Sequence, residues 1–368
     1  MKNRPVYRVL VVAMATLLTS CFHQPFDNQA MLESLGSEVI IPSYASFAQE
    51  TAALVSMATA FCDAPTTSSL KNLQSQWKRA RVAWKQMDVI EFGPYVDQPW
   101  RLGPKIDSWP VREDTVEDNL ASEEPLSLER VRTLGASSRG LPVMEYLIFD
   151  AGGVDAALAK FADANGAQRC NYTTALAEDL DANAQAMVQA WSHDGDDYLG
   201  ALVASGEAGT PFMSVREASN EIVNRMIFLA ENVMQLKLGQ PLGLESGGEP
   251  EPGQVESRYS DHSLEDILAN LDGLENLYRG RFGEHRGIGV QRWVRWYNPD
   301  VDRRVVASML KARWAVEDIP EPLSRAVVEH GDAVQAAYDQ VRELRNTLGV
   351  DMINALAGSV SFNDTDGD

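Results

Sequence analysis

Apolar residues recur at intervals of three and four along most of this chain, and nowhere in the sustained alternation that marks a strand. Residues 44–62 carry Ala45, Phe47, Ala48, Thr51, Leu54, Val55, Met57, Ala58 and Phe61 on that repeat, and Cys62-Asp63-Ala64-Pro65 stops the helix they predict. Thr67 or Ser68 can cap the next helix, whose stripe is Leu70, Leu73, Trp77, Ala80, Val82, Trp84 and Met87. Residues 91–111 break the pattern with Gly93, Pro94, Pro99, Gly103, Pro104 and Pro110, interleaved with Tyr95, Trp100 and Trp109. That composition reads as a long ordered loop, a feature that in compact domains usually carries function.

Short helices are expected over 112–120 and 126–134, another from Ser138 to Phe149, and one long helix over 168–203 bent near Asp194-Gly195. Gly206 to Pro211 is the best boundary. Beyond it, Ser214 with Glu217 resembles a capping box and opens a helix to Leu238. Residues 239–260 are rich in Gly, Pro and Glu. Ser263 then caps a helix from Leu264 to about Tyr278, and helices near 288–296, 299–316, 320–328 and 329–348 complete the set. The fold class is therefore all-α, most simply two antiparallel helix bundles with a site at their interface. The expected division is 41–206 for the N-terminal bundle, 207–358 for the C-terminal bundle and 359–368 for an acidic tail.

The first residues change the setting. Lys2, Arg4 and Arg8 precede a short apolar run from Val9 to Leu18, and Leu18-Thr19-Ser20-Cys21 closes it. This is a secretory signal, too short to span a bilayer. It resembles a bacterial lipobox, in which Cys21 is lipid-modified and becomes the mature N-terminus. The alternative is an ordinary signal peptide with an incidental cysteine. The lipobox reading makes 1–20 the signal peptide and 21–40 a tether. It puts the rest on the periplasmic face of the bacterial envelope, held by the lipid, with the outer membrane as the expected site.

The formal net charge is −21, and removing residues 1–20 takes away three positive charges and no negative ones, leaving −24. Nucleic acid is excluded as a partner, because phosphate binding needs a positive surface. With Cys21 lipidated, Cys62 and Cys170 remain, an even number in an oxidising compartment, and a disulfide between them is expected.

The strongest local feature is Ser137-Ser138-Arg139-Gly140-Leu141-Pro142-Val143-Met144-Glu145. Physically it is a helix start, with Ser138 as cap, Pro142 in the first helical position and Glu145 in the first turn. Gly140…Glu145 also resembles the Gly-x-His-x-x-Glu motif of the imelysin-like family of bacterial envelope proteins. Further resemblance lies in Cys62-Asp63-Ala64-Pro65 before Trp77…Trp84, and in Trp109-Pro110 with Arg112. In the second half it lies in Lys237 to Gly243, Glu256-Ser257-Arg258-Tyr259-Ser260 and Ala269-Asn270-Leu271. The match runs over roughly residues 40–368.

Such membership implies a two-domain helical fold, a periplasmic lipoprotein, and a link to iron or another divalent metal. The activity attributed to the family is metallopeptidase. Here the motif histidine is Pro142, which has no donor atom, and a catalytic zinc site needs three protein ligands. His23, His193, His262, His285 and His330 form no metal-binding frame and read as surface or capping residues. Enzyme activity is therefore doubtful. The candidate ligand-binding residues are Glu145, Arg139, Gly140, Arg112, Trp84 and Trp109 from the first half, with Ser257, Arg258 and Asn270 from the second. Glu145 can serve there as a ligand group or as half of a buried salt bridge, and Trp77 and Trp84, on one face of the second helix, read as core rather than as a binding platform.

The expected function is a non-catalytic binding lipoprotein that holds a small ligand or metal-linked cargo for metal uptake. The alternatives are a metallopeptidase-like hydrolase using Glu145, and an accessory that docks an outer-membrane receptor. Asp364-Thr365-Asp366-Gly367-Asp368 has the look of a calcium loop but lacks its later glutamate.

Overall fold

The computed structural model describes residues 25–356. The signal segment, Cys21, His23 and the tail from 357 onward, with its calcium-like sequence, lie outside the described residues.

Helix α1 spans Asn28–Leu35, and a π-helical turn over Gly36–Ile40 leads without a break into α2, Ile41–Asp63. Met31, Leu32, Leu35, Val39 and Ile40 are buried. The stretch expected to be a tether is therefore structural from Asn28 onward, because its apolar residues have a core to enter. Ser34 Oγ accepts the Ile288 N–H at 2.7 Å, tying the end of α1 to the far half of the chain.

Helix α3 covers Thr67–Lys85; its cap is Thr66, not Thr67 or Ser68, in a reciprocal box with Ser69. The 91–111 loop is ordered and holds a 3-10 turn, Gly93–Tyr95, and one short α-helix, α4 (Gly103–Ile106). Helices α5 (Glu113–Ala121) and α6 (Leu128–Thr133) follow. Helix α7 is Leu141–Ile148, capped by Gly140 rather than Ser138, and α8 (Val154–Ala159) had no sequence signal strong enough to predict it. The helix expected over 168–203 is two: α9 (Gly166–Trp191) and α10 (Tyr198–Val203). Asp197, in the left-handed region at φ 55°, starts α10 by accepting the Gly200 N–H. That local cap is why the segment breaks rather than bends.

Helix α11 (Val215–Asn232) begins at Ser214 as predicted and continues as a π-helix through Gly239. Turns follow, then α12 (Ser263–Arg279), where His262 holds the cap position and the Ser263 hydroxyl instead donates to the Glu256 carbonyl. Two-residue strands β1 (Arg281–Phe282) and β2 (His285–Arg286) form the one named hairpin among the described residues, too short to leave a periodic signal. Helices α13 (Val290–Tyr297), α14 (Pro299–Glu317), α15 (Leu323–Glu329), α16 (Gly331–Asn346) and α17 (Ile353–Leu356) complete the described residues.

The fold is thus all-α. In the first half α2 lies between α3 and α9; in the second, α14 and α16 pack together and α16 packs on the end of α11. The buried apolar side chains form one connected cluster shared by both halves. Cys62 and Cys170 are disulfide-bonded, joining the end of α2 to the start of α9 with Cα atoms 5.5 Å apart. The halves meet where α12 crosses α3. Gly273 permits this approach: a Cβ there would lie 2.1 Å from the Gln86 carbonyl oxygen. No helix among the described residues is long and apolar enough to cross a membrane.

Candidate functional site

The α3–α12 crossing places charged side chains where both helices are buried. Arg81 and Lys85 are one turn apart on the inner face of α3, which also buries Trp77 and Trp84. Asp266 and Asn270 occupy the matching turn of α12. Arg81 reaches Asp107 at 2.7 Å, Glu256 at 2.9 Å and Asp266 at 3.0 Å. Lys85 reaches Glu256 and Asp107 at 2.7 Å and Asp88 at 3.0 Å. Lys237, on the π-helical end of α11, adds Glu256 at 2.8 Å. Three cations therefore face four carboxylates in the interior.

Burial alone disfavours every one of these charges, so the pairing has to be close. Burial opposes the Arg81 cation, yet Asp107, Asp266 and Glu256 hold its pKa well above the ordinary arginine value. Lys85 is likewise held up, against burial and Arg81, by Asp107, Asp88 and Glu256. Burial pushes Glu256 upward, but Lys237, Lys85 and Arg81 overcome it and keep the group well below the usual carboxylate range.

Glu145 approaches the same region from the first half. Gly140 sets the start of α7 at φ 87°, and a Cβ there would come within 2.4 Å of the Ile106 carbonyl oxygen. Glu145 is the fifth residue of that helix, beyond the first turn where the sequence placed it, so the helix dipole is not what positions it. Its Oε1 accepts the Tyr259 N–H at 3.1 Å, the Ser260 N–H at 2.9 Å and the Ser260 hydroxyl at 2.7 Å. These donors converge because the 257–261 turn holds Ser257 and Asp261 at positive φ. Glu145 therefore fastens the second half through its loop backbone; no arginine salt bridge holds it.

Burial pushes the Glu145 carboxyl up to about 7, against the Ser260 hydrogen bonds and the Arg81 charge. A folded pKa above the ordinary value of 4.5 means the folded state binds the proton more tightly. This contribution is complete below pH 4.5 and is lost as pH rises through about 7. In urea unfolding at pH 5, 6, 7 and 8, Glu145→Gln should keep near-native stability at pH 5. It should also remove up to about 3 kcal/mol of the loss seen in the native chain by pH 8. An unchanged slope with pH would show that Glu145 does not titrate there.

Glu145, Trp109, Pro110, Val111, Gly253, Gln254, Ser257, Arg258 and Tyr259 surround a hollow of about 230 Å³. A second hollow of about 210 Å³ shares Trp109 and is walled by Lys85, Asp88, Glu91, Tyr95, Asp107, Lys237 and Glu256. In it, burial first and Asp88 second push Glu91 up to about 7.

Of the residues singled out from the sequence, Glu145, Trp109, Ser257 and Arg258 line the first hollow. Arg258 pairs at its rim with Glu113 and the Tyr259 hydroxyl. Asn270 is a connector, accepting from Lys237 and donating to Asp88 and the Lys85 carbonyl. Trp84 is core, stacked on Tyr95 with its indole N–H on Asp107 at 3.1 Å. Arg139 turns to Asp179 on α9 and lines neither hollow, because α9 offers it a buried carboxylate. Arg112 is exposed beside Asp114 at 3.5 Å and lines neither hollow either. Gly140 acts only through the backbone. His262 is buried rather than superficial, edge-on to Trp77.

The ion cluster itself was missed. Its signal was present: the stripe that buries Trp77 and Trp84 also turns Arg81 and Lys85 inward.

A catalytic metal does not fit these residues. Among the described residues no group of three or more His, Cys, Asp or Glu is arranged to hold a metal ion. Donors already converge on Oε1 of Glu145, lysine and arginine pair with the neighbouring carboxylates, and Pro142 supplies no ligand atom.

The imelysin peptidase-family model matches residues 40–348. Iron-regulated protein A of Synechococcus elongatus is 26% identical over 314 residues, 84% of this chain and 81% of that one. A crystal structure from Parabacteroides distasonis, given as a candidate iron-regulated protein A precursor, superposes with a TM-score of 0.75 at 19% identity, covering 89% of this chain and 95% of that one. An imelysin-like protein from Psychrobacter arcticum gives 0.71 at 18% identity, over 91% and 97%. With a helical fold of this kind and a family match spanning most of its length, the chain belongs to the imelysin family.

Proposed function

We propose that this protein is a non-catalytic lipoprotein of the bacterial envelope, anchored through Cys21. In this reading it binds a small ligand or metal-linked cargo in iron or metal uptake. The family and the iron-regulated relative support the iron connection. The observation that carries the binding reading is the first hollow, to which both halves of the chain contribute. At about 230 Å³ it is smaller than a typical drug-sized site and suits a compact ligand or one end of a larger one. Trp109 offers a flat apolar wall, Arg258 a cation at the rim and Glu145 a carboxyl that exchanges its proton near neutrality.

Calorimetric titration with ferric citrate and with zinc chloride tests this, alongside a peptide-cleavage assay. Saturable ferric citrate binding, weakened at least tenfold by Trp109→Ala with Arg258→Ala and unaccompanied by cleavage, is expected. Stoichiometric zinc with peptide hydrolysis, both abolished by Glu145→Ala, would establish the hydrolase instead. Absence of binding and of cleavage, with capture by an outer-membrane receptor, would favour docking.

A further inference from the structure

The described chain begins beside an aromatic surface. Phe26 lies 6.4 Å from both the Trp293 and Trp296 rings of α13, stacked on the first and tilted to the second. Val290, Trp293 and Val294 are the buried face of that helix. Trp296 and Tyr297 are 46% and 47% exposed. Arg292 and Arg295 share the outer face with Trp296 at helical spacing, and α13 carries no acidic residue. Residues 279–304 hold seven arginines against three acidic residues, in a chain of net charge −21. Five of the seven are ion-paired, Arg279 and Arg281 with Glu275, Arg295 with Asp302, Arg303 with Asp300 and Arg304 with Asp351, so the local excess of positive charge is small and Arg292 is its member on the outer face of α13.

Chain length ties this surface to the anchor. Phe26 is five residue steps beyond Cys21, a reach of at most about 17–18 Å. A lipid on Cys21 therefore holds α13 close to the bilayer. Tryptophan and tyrosine favour the membrane–water interface, and arginine stems lie along it with their heads in the polar layer.

We propose that the outer face of α13 (Arg292, Arg295, Trp296 and Tyr297) docks on the lipid bilayer into which the Cys21 lipid inserts. The proposal rests on the anchoring reading above. It goes further by giving the protein one orientation on the membrane instead of leaving it free to swing.

The test uses the lipidated full chain in vesicles of phosphatidylethanolamine and phosphatidylglycerol at 7:3. With Cys21 lipidated and Cys62 bonded to Cys170, a new cysteine is the sole labelling site. An environment-sensitive fluorophore is placed at Tyr297→Cys, at Arg292→Cys as a second position, and at Val328→Cys as the control. Val328 is 59% exposed on α15, which packs on α16 and the 252–254 turn. In vesicles, iodide should quench the probes at 297 and 292 at least threefold less than the probe at 328. Lipids brominated near the head group should quench only the first two. Flotation with the vesicles but equal iodide quenching at all three positions would overturn the docking surface and leave the anchor standing. Loss of flotation would overturn both.

Discussion

Arg81→Met should lower the stability of the folded chain by about 3–5 kcal/mol, the usual cost of removing one partner from a buried ion pair. The guanidinium touches Asp107, Glu256 and Asp266, all in the interior, and its own side chain is 1% exposed. Methionine fills much of the volume, so the loss comes from stranded carboxylates rather than from a cavity. Lys85 and Lys237 still face Glu256, whereas Asp266 keeps only the Ser257 hydroxyl. Urea unfolding of R81M, D266N and the double variant R81M/D266N separates the contributions. The double variant should recover part of the loss, because the stranded charge is gone. Purely additive costs would mean that Arg81 and Asp266 are not energetically coupled.

Replacing Cys62 and Cys170 together by serine should cost about 4–5 kcal/mol in the chain-entropy account, since the bond closes a loop of 108 residues. That loop contains α3, α7 and the start of α9, so it holds Glu145 and the ion-bearing face of α3 in one tethered unit. The double serine variant should unfold at lower urea with little change in the folded spectrum. A midpoint equal to that of the native chain would show that the unfolded ensemble is already compact across this loop. Labelling of two free thiols in unfolded, unreduced protein would show that the bond is absent.

Most helices were legible because burying one face of a helix imposes a three-and-four repeat that survives in a single sequence. The breaks were less legible. Asp197 starts a new helix through a left-handed backbone and a local hydrogen bond, and neither has a periodic signature. Residues 28–40 read as a tether because they were judged by position, although Met31, Leu32, Leu35 and Val39 already carried an apolar repeat.

The site shows the same division. Glu145 stood out through its motif, but two of its three donors are the backbone N–H groups of Tyr259 and Ser260, which no residue identity announces; only the Ser260 hydroxyl is a side chain. Arg139 and Arg112 were attractive as cations near the motif. The fold gives one a carboxylate on α9 and leaves the other in solvent.

By itself, the sequence determined the helical class, the cysteine pair suited to an oxidising compartment and the proline that removes a metal ligand. These follow from residue chemistry and local periodicity. Only the tertiary structure decided that Arg81, Lys85 and Lys237 share an interior with four carboxylates, and that Glu145 meets the second half at the 257–261 turn. Those facts depend on how closely two helices cross, and Gly273 sets that distance 192 positions beyond Arg81 in the chain.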